Sequence, residues 1–119
     1  MPDINMQAIL TVTKSASTLQ GVGTWDITQQ TATKRNNSTI QNLTTTTSTT
    51  LQIGTISPLG YLFVKNLGAV NVSLALANNS QVFATIRPSE FCLVPTATGT
   101  VYAWTASSNA DVLIVAAEA

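Results

Sequence analysis

The chain has 119 residues, of which 45% are hydrophobic and 8% are charged, and its five basic residues balance five acidic ones. A chain of this length is long enough for one compact domain, whose core hides roughly two-thirds of the unfolded surface. The shortage of charge argues against a nucleic-acid partner, because phosphate binding requires clustered Lys and Arg, and only Lys34 and Arg35 are adjacent. A net charge near zero also favours self-association, so burial in an assembly is expected.

The first part of the chain predicts a short arm followed by two strands. Residues 1–6 predict an extended arm, because Pro2 and Asp3 oppose regular structure, and residues 7–119 predict a single β domain. Its first elements are expected in this order: a strand over 7–13, a loop over 14–20, a strand over 21–33 that carries Trp25, and a hairpin tip over 34–37. The amino terminus lacks the pattern of a signal peptide, and no apolar run is long enough for a transmembrane helix.

A run of Thr with one Ser follows at residues 44–50, with apolar residues on both sides of it. Because Thr is β-branched and favours extended backbone, we predict an exposed strand or extended loop here rather than a disordered linker. The hydroxyl groups fit a solvated β face, and a self-pairing or carbohydrate-facing surface is the alternative.

The stretch over residues 60–77 predicts two strands of a central hairpin, joined by a tight turn at residues 67–69. The first strand is apolar on both faces, because Leu62 and Val64 point one way while Tyr61 and Phe63 point the other. Such a strand is expected to be covered on one side by its own domain and on the other by a partner. The second strand alternates, and its predicted core face carries Val70, Val72, Leu74 and Leu76.

The rest of the chain predicts further short strands, at residues 81–86, 91–94, 101–105 and 111–117. Turn residues separate them, and no segment has a sustained helical period. This succession of short strands and turns predicts an all-β protein built as an antiparallel β-sandwich or jelly roll, rather than a parallel sheet with helices. The residues expected at the centre of its core are Leu62, Val64, Val72, Leu74, Leu76, Leu93 and Ile114.

The side chains that most often act in catalysis or bind metals are scarce in the sequence. It has no His and only one Cys, so the residues of a zinc site or a catalytic base are lacking and no disulfide can form within the chain. Cys92 lies in an apolar run, which predicts a buried and inert thiol. The carboxylates are scattered. We therefore expect a protein that is not an enzyme and that binds no cofactor and no metal.

The aromatic residues are the remaining candidates for a binding site. On strands, aromatic side chains most often belong to a core or an interface, and a platform for stacking sugars is the alternative. Lys65 follows the two-faced strand directly. The candidate interface residues are Tyr61, Phe63, Lys65, Trp25, Tyr102 and Trp104.

The second half of the chain carries a recurring pattern of strands and turns. A Gly-Tyr-apolar strand leads to a basic-Asn turn, a Pro-small-Glu turn precedes an apolar strand, and a closing Ala-Asp-Val strand ends near an acidic residue. Those features are Gly60, Tyr61, Lys65, Asn66, Pro88, Glu90, Asp111 and Glu118. In these features the chain resembles small structural proteins of tailed-bacteriophage virions.

The resemblance implies a non-enzymatic β-sandwich of the virion, namely a cement or decoration protein on the capsid surface that is assembled in the host cytoplasm. Its partner would be the major capsid protein, whose neighbouring subunits it would clamp. A homo-oligomer is expected, and a trimer would match a local threefold axis. The alternatives are a tail or head-to-tail connector component, or a carbohydrate-binding module for host adsorption. No membrane partner is expected.

Overall fold

The computed structural model describes residues 4–14, 17–27, 36–45, 47–53, 59–95 and 100–118. Every helix or strand assigned within these residues is a strand, which confirms the prediction of an all-β protein. The strands are β1 (Ile4–Lys14), β2 (Ser17–Ile27), β3 (Asn36–Leu43), β4 (Thr49–Thr50), β5 (Leu59–Asn66), β6 (Val72–Ala77), β7 (Ser80–Ile86), β8 (Phe91–Pro95), β9 (Tyr102–Thr105) and β10 (Ala110–Glu118).

Residue contacts divide the chain into two compact units, residues 1–33 and 34–119. In the first unit, β1 and β2 pair antiparallel from Ile4 opposite Ile27 to Lys14 opposite Ser17. The predicted boundary after residue 6 differs from this division. Residues 4–6 belong to β1 rather than to an arm. The loop predicted over 14–20 is also wrong, because residues 17–20 pair with β1, and this pairing satisfies backbone groups that small polar side chains alone would leave to water.

The second unit is an antiparallel β-sandwich, as predicted. Its first sheet has the strand order β3-β10-β5-β8, and its second sheet has the order β4-β9-β6-β7. The pairing partners follow a simple rule, because β3 pairs with β10, β4 with β9, β5 with β8 and β6 with β7. The two sheets therefore arise as if one long ribbon of paired strands had been wound into two layers.

The prediction of a central hairpin over residues 60–77 is wrong, because β5 and β6 lie in different sheets. Residues 67–71 cross from one layer to the other. Asn66, which is fully buried, holds this crossing: its Nδ2 atom donates to the carbonyl oxygens of Val70 at 2.7 Å and Ile86 at 3.0 Å, and its Oδ1 atom accepts from the backbone N–H of Gly68 at 2.9 Å. A β-carbon on Gly68 would lie 2.5 Å from that of Ala110, so this crossing requires glycine.

A second crossing over residues 87–90 lies against the first. The backbone N–H of Asn66 donates to the carbonyl oxygen of Glu90 at 2.9 Å, and that of Ser89 donates to the carbonyl oxygen of Asn66 at 3.1 Å. The carboxylate of Glu90 accepts from the backbone N–H of Arg87 at 2.9 Å and lies 3.4 Å from the Arg87 guanidinium, so the two ends of this turn are joined. The two connections thereby brace each other.

The core is built from the inward faces of both sheets and contains five of the seven residues predicted for it, each at most 1% exposed: Leu62, Val64, Val72, Leu74 and Ile114. Leu76 is 50% exposed instead, because the pairing of β6 with β7 shifts register between Leu74 and Ala75, so Ala75 is buried where Leu76 was expected to be. Leu93 is half-buried on the outer side of β8, while its neighbours Cys92 and Val94 pack against the core. The apolar run at 91–94 has no alternation that could indicate its inward side.

Parts of the Thr run pair as extended backbone, in agreement with the prediction, while Thr46 lies outside the described residues. Thr45 forms an isolated parallel bridge with Thr105, and Thr49–Thr50 is the short edge strand β4. Gln41, which is buried, holds the segment: it donates to the Thr50 carbonyl oxygen at 3.2 Å and accepts from the backbone N–H of Gln52 at 2.9 Å. The hairpin tip predicted over 34–37 is wrong at Asn36 and Asn37, which begin β3, while residues 34 and 35 lie outside the described residues.

Candidate interaction surface

Strand β5 presents two apolar faces, in agreement with its sequence. Leu62 and Val64 point into the core, with 1% and 0% of their surface exposed. Tyr61, Phe63 and Lys65 occupy the alternate positions, are half-buried and point away from the core. Three of the predicted interface residues thus lie in one line along the outer side of the first sheet.

The neighbouring strands extend this line into a surface. Strand register places Ile40, Leu113, Lys65 and Phe91 in one row across the sheet, and Ser38, Val115, Phe63 and Leu93 in the next. Phe63 and Phe91 stack with ring centroids 5.6 Å apart and an interplanar angle of 25°. We call the following residues the outer apolar face: Ile40, Tyr61, Phe63, Phe91, Leu93, Leu113 and Val115.

The outer apolar face is open to solvent in this single chain. Ile40 is 61% exposed, Phe91 is 58% exposed and Val115 is 40% exposed. In the two rows named above the one charged residue is Lys65, and Asp111 lies one row beyond them. Asp111 accepts a hydrogen bond from the side-chain amide of Asn42 at 2.9 Å. Three large apolar side chains of this face are thus exposed to water and its other four residues are half-buried, a cost that contact with another molecule would reduce.

The size of the face indicates what it can bind. Four strands spaced ~4.8 Å apart, each showing about five residues at ~3.3 Å per residue over the length that β8 pairs, cover on the order of 300 Å², and this area includes the polar positions Ser38 and Lys65. Contiguous apolar patches of about 300 to 600 Å² are the largest found on typical monomers, and they often have a function. One partner in a standard protein interface buries about 800 Å². The outer apolar face alone therefore supports a docking contact of moderate strength.

The other predicted interface residues do not join this surface. Tyr102 and Trp104 lie on β9, in the second sheet, where Ala103 and Thr105 point inward and the two aromatic side chains are half-buried on the opposite side. They belong to the other outer face of the sandwich. Trp25 lies in β2 opposite Met6, in the first unit, and its side chain is outside the described part of the structure.

Most of the outer apolar face was missed by sequence reasoning. Ile40, Phe91, Leu113 and Val115 come from strands that are distant from β5 in the chain, so only the sheet order brings them beside Phe63. One signal was available. Residues 112–115 are four consecutive apolar residues, and such a run is apolar on both faces of a strand, as in β5.

Reactive groups are sparse in the structure too. Cys92 is half-buried on the edge strand β8 rather than fully buried as predicted, because one side of an edge strand has no neighbour. Burial raises the pKa of its thiol, which lowers the thiolate fraction. In the part of the chain that the structure describes, no three His, Cys, Asp or Glu side chains form a cluster that could hold a metal ion. That part also contains no helix long and apolar enough to span a membrane.

Comparisons with protein-family models, with curated proteins and with solved structures find no match to this chain.

Proposed function

We propose that this chain is a non-enzymatic structural protein of a tailed-bacteriophage particle, a cement protein that clamps neighbouring subunits of the major capsid protein at the capsid surface. The observation that carries the proposal is the outer apolar face, where Phe91 is 58% exposed and stacks on Phe63 beside further open apolar side chains. When a partner covers such a surface, the free energy falls because apolar side chains are removed from water. The low charge of the chain adds support, since little repulsion opposes dense packing.

The moderate size of the outer apolar face fits a partner that offers the same binding site many times, as a capsid does. One contact of about 300 Å² per partner is smaller than a standard interface, so a single copy binds weakly. On a capsid, an oligomer engages several equivalent sites at once, and the effective concentration of the second contact raises the overall affinity. Binding to the assembled shell in preference to free subunits then stabilises the shell by mass action. The proposal includes a homo-oligomer, with a trimer as the state that matches a local threefold axis.

We also infer that the sandwich is a jelly roll. Its eight strands pair in nested order: the first, β3, pairs with the last, β10, and the innermost pair is β6 with β7. A ribbon of paired strands that is wound into two layers produces this order. Jelly rolls occur in viral capsid domains and in lectins. This is an analogy at the level of the fold, so it agrees with the capsid proposal and with the carbohydrate alternative alike.

The proposal is tested on particles prepared with and without the protein. Particles that lack it are expected to assemble but to release DNA at lower temperature, because the shell has lost contacts that hold neighbouring subunits together. Adding the purified chain back should restore the heat resistance and should saturate at a fixed ratio of chain to capsid subunit. Equal heat resistance with and without the protein, together with no saturable binding to emptied capsids, would contradict the proposal.

The carbohydrate-binding alternative rests on one observation. Tyr102 and Trp104 lie two positions apart on the same outer side of β9, which separates them by roughly 7 Å, and both remain partly open to solvent. Sugar rings stack on aromatic side chains spaced in this way. Binding to host-cell glycans that is lost on Trp104→Ala, with capsid binding absent, would favour this second function.

A further inference from the structure

Four connections between the two sheets lie side by side at one end of the sandwich. They follow β3, β5, β7 and β9 in the chain. The connections after β5 and β7 meet at Asn66, as described above. The backbone N–H of Thr105 donates to the carbonyl oxygen of Thr44 at 3.4 Å, and that of Ala106 donates to the carbonyl oxygen of Asn71 at 3.2 Å. Backbone hydrogen bonds therefore link all four connections into one row.

Thr105 lies within this row, at the end of β9, and only 2% of its surface is exposed. Its backbone pairs with Val72 of β6 on one side and forms the isolated bridge to Thr45 on the other. The Oγ1 atom of Thr105 is buried and has no hydrogen-bond partner in the described structure. Burial of an unpaired hydroxyl is costly, because its hydrogen bonds to water are lost, and native proteins seldom leave such a group unpaired.

A second hydroxyl of the same kind lies in the connection between β3 and β4. The Oγ atom of Ser48 is buried and also has no hydrogen-bond partner in the described structure. Pairing places Ser48 close to Thr105 along β9. Thr45 forms the bridge to Thr105, and Thr49, the residue after Ser48, pairs with Ala103. Positions 103 and 105 of a strand are only ~6.6 Å apart, so both unpaired hydroxyls lie where this connection meets the end of β9.

Asn66 shows how the same row of connections is held at its other half. Its side-chain amide makes three hydrogen bonds to backbone groups, at 2.7 to 3.0 Å. Among the described residues, no side chain makes such bonds to the hydroxyls of Thr105 and Ser48. We propose that one internal water molecule binds at this place and bridges the Oγ1 atom of Thr105 and the Oγ atom of Ser48.

The chemistry of the site selects water rather than an ion. A hydroxyl can both donate and accept, and so can water, so the two hydroxyls supply two of the about three hydrogen bonds that a buried water makes. The carbonyl oxygen of Thr44 receives only the long bond of 3.4 Å and can accept the third. A cation such as Ca²⁺ takes about six to eight oxygen ligands, with carboxylates among them, whereas these three groups are neutral.

The bound water fastens the connection after β3 to the sandwich. It stands in for a side chain such as Asn66, and it satisfies two polar groups that the core would otherwise bury unpaired. This inference goes beyond the proposed function and does not depend on it, because the site lies within a single copy of the chain.

Removal of one hydroxyl tests the site by the sign of the effect. Val has nearly the shape of Thr, so Thr105→Val removes the hydroxyl with little change in packing. With water bound, this variant loses a hydrogen bond, and the equilibrium constant for unfolding should rise about fivefold in a denaturant titration. Thr85→Val, at an exposed position of β7, is the matched control and should change it by less than about twofold. A more stable Thr105→Val protein would overturn the proposal, because removal of an unpaired hydroxyl stabilises.

A double-mutant cycle tests whether one water joins the two hydroxyls. Ser48→Ala alone should also favour unfolding, because the same water loses a partner. Since either substitution releases the water, the double variant should be about as destabilised as Thr105→Val alone. Effects of the two substitutions that multiply, as they do for independent sites, would overturn the bridge.

NMR detects the water in the wild-type chain. A bound water should give a nuclear Overhauser effect to the backbone N–H of Thr105, and this signal should disappear in Ser48→Ala. That variant keeps the hydroxyl of Thr105, so a signal relayed through exchange of this hydroxyl would persist. Absence of the signal in the wild-type chain, or its persistence in Ser48→Ala, would overturn the proposal.

Discussion

The two units of this protein both expose apolar side chains, but for different structural reasons. In the sandwich, Leu62 and Val64 fill a core between two sheets, and the outer apolar face is additional to it. In the hairpin, β1 and β2 form a two-stranded sheet of their own, on which Leu10 is 69% exposed and Leu19 is 70% exposed. The difference teaches that exposed apolar residues are clearer evidence of function when a complete core lies beneath them.

The largest expected effect separates the core from the exposed apolar residues. Leu74 is fully buried, so Leu74→Ala should lower the free energy of unfolding by about 2 to 5 kcal/mol through lost contacts and the cavity that remains. Leu19→Ala, at a residue that is 70% exposed, should change the unfolding of the sandwich by less than about 0.5 kcal/mol. Denaturant unfolding followed by Trp fluorescence measures both. Similar losses in the two variants would remove the distinction between the regions.

A second prediction compares glycines of the two units. Gly68→Ala places a β-carbon 2.5 Å from that of Ala110 and should cost about 1 to 3 kcal/mol of stability, because backbone must shift to relieve the clash. Gly21→Ala meets nothing within 4 Å, and in a strand alanine costs the chain less entropy than glycine. It should therefore leave the stability of the sandwich unchanged. Thermal unfolding of both variants is the measurement, and a tolerated Gly68→Ala would show that the crossing is looser than described.

The alternation of β5 was predictable from sequence, whereas its partners were not. Period two is a local property, so Leu62 and Phe63 could be assigned to opposite faces without knowledge of any neighbour. The connection over 67–71 fits a hairpin and a crossing between sheets equally well, and the choice depends on where the strands of the other sheet lie. Ile40 and Phe91 were missed for the same reason, because sheet order is not written in any single segment.

The smallest expected effect is on the rate at which the thiol of Cys92, at the edge of the core, is chemically labelled. Burial raises the pKa of its thiol, so the thiolate fraction at mildly alkaline pH is lower in the native protein than in the unfolded chain. Labelling by iodoacetamide should therefore be slower for the native protein. Because the folded pKa is the higher one, the associated stability is present at neutral pH and is lost as pH rises through the alkaline range. Equal labelling rates of native and urea-unfolded chain would show that the thiol is open.

The central claim is that the outer apolar face is a contact surface rather than a tolerated excess of apolar residues. Phe91→Asp tests it most directly, since this side chain is 58% exposed on the edge strand β8 and the substitution should leave the sandwich folded. Thr85→Asp, at an exposed position of the second sheet, is the control. Binding to emptied capsids should weaken at least tenfold for Phe91→Asp and remain unchanged for Thr85→Asp. Equal, saturable binding of both variants would contradict the account.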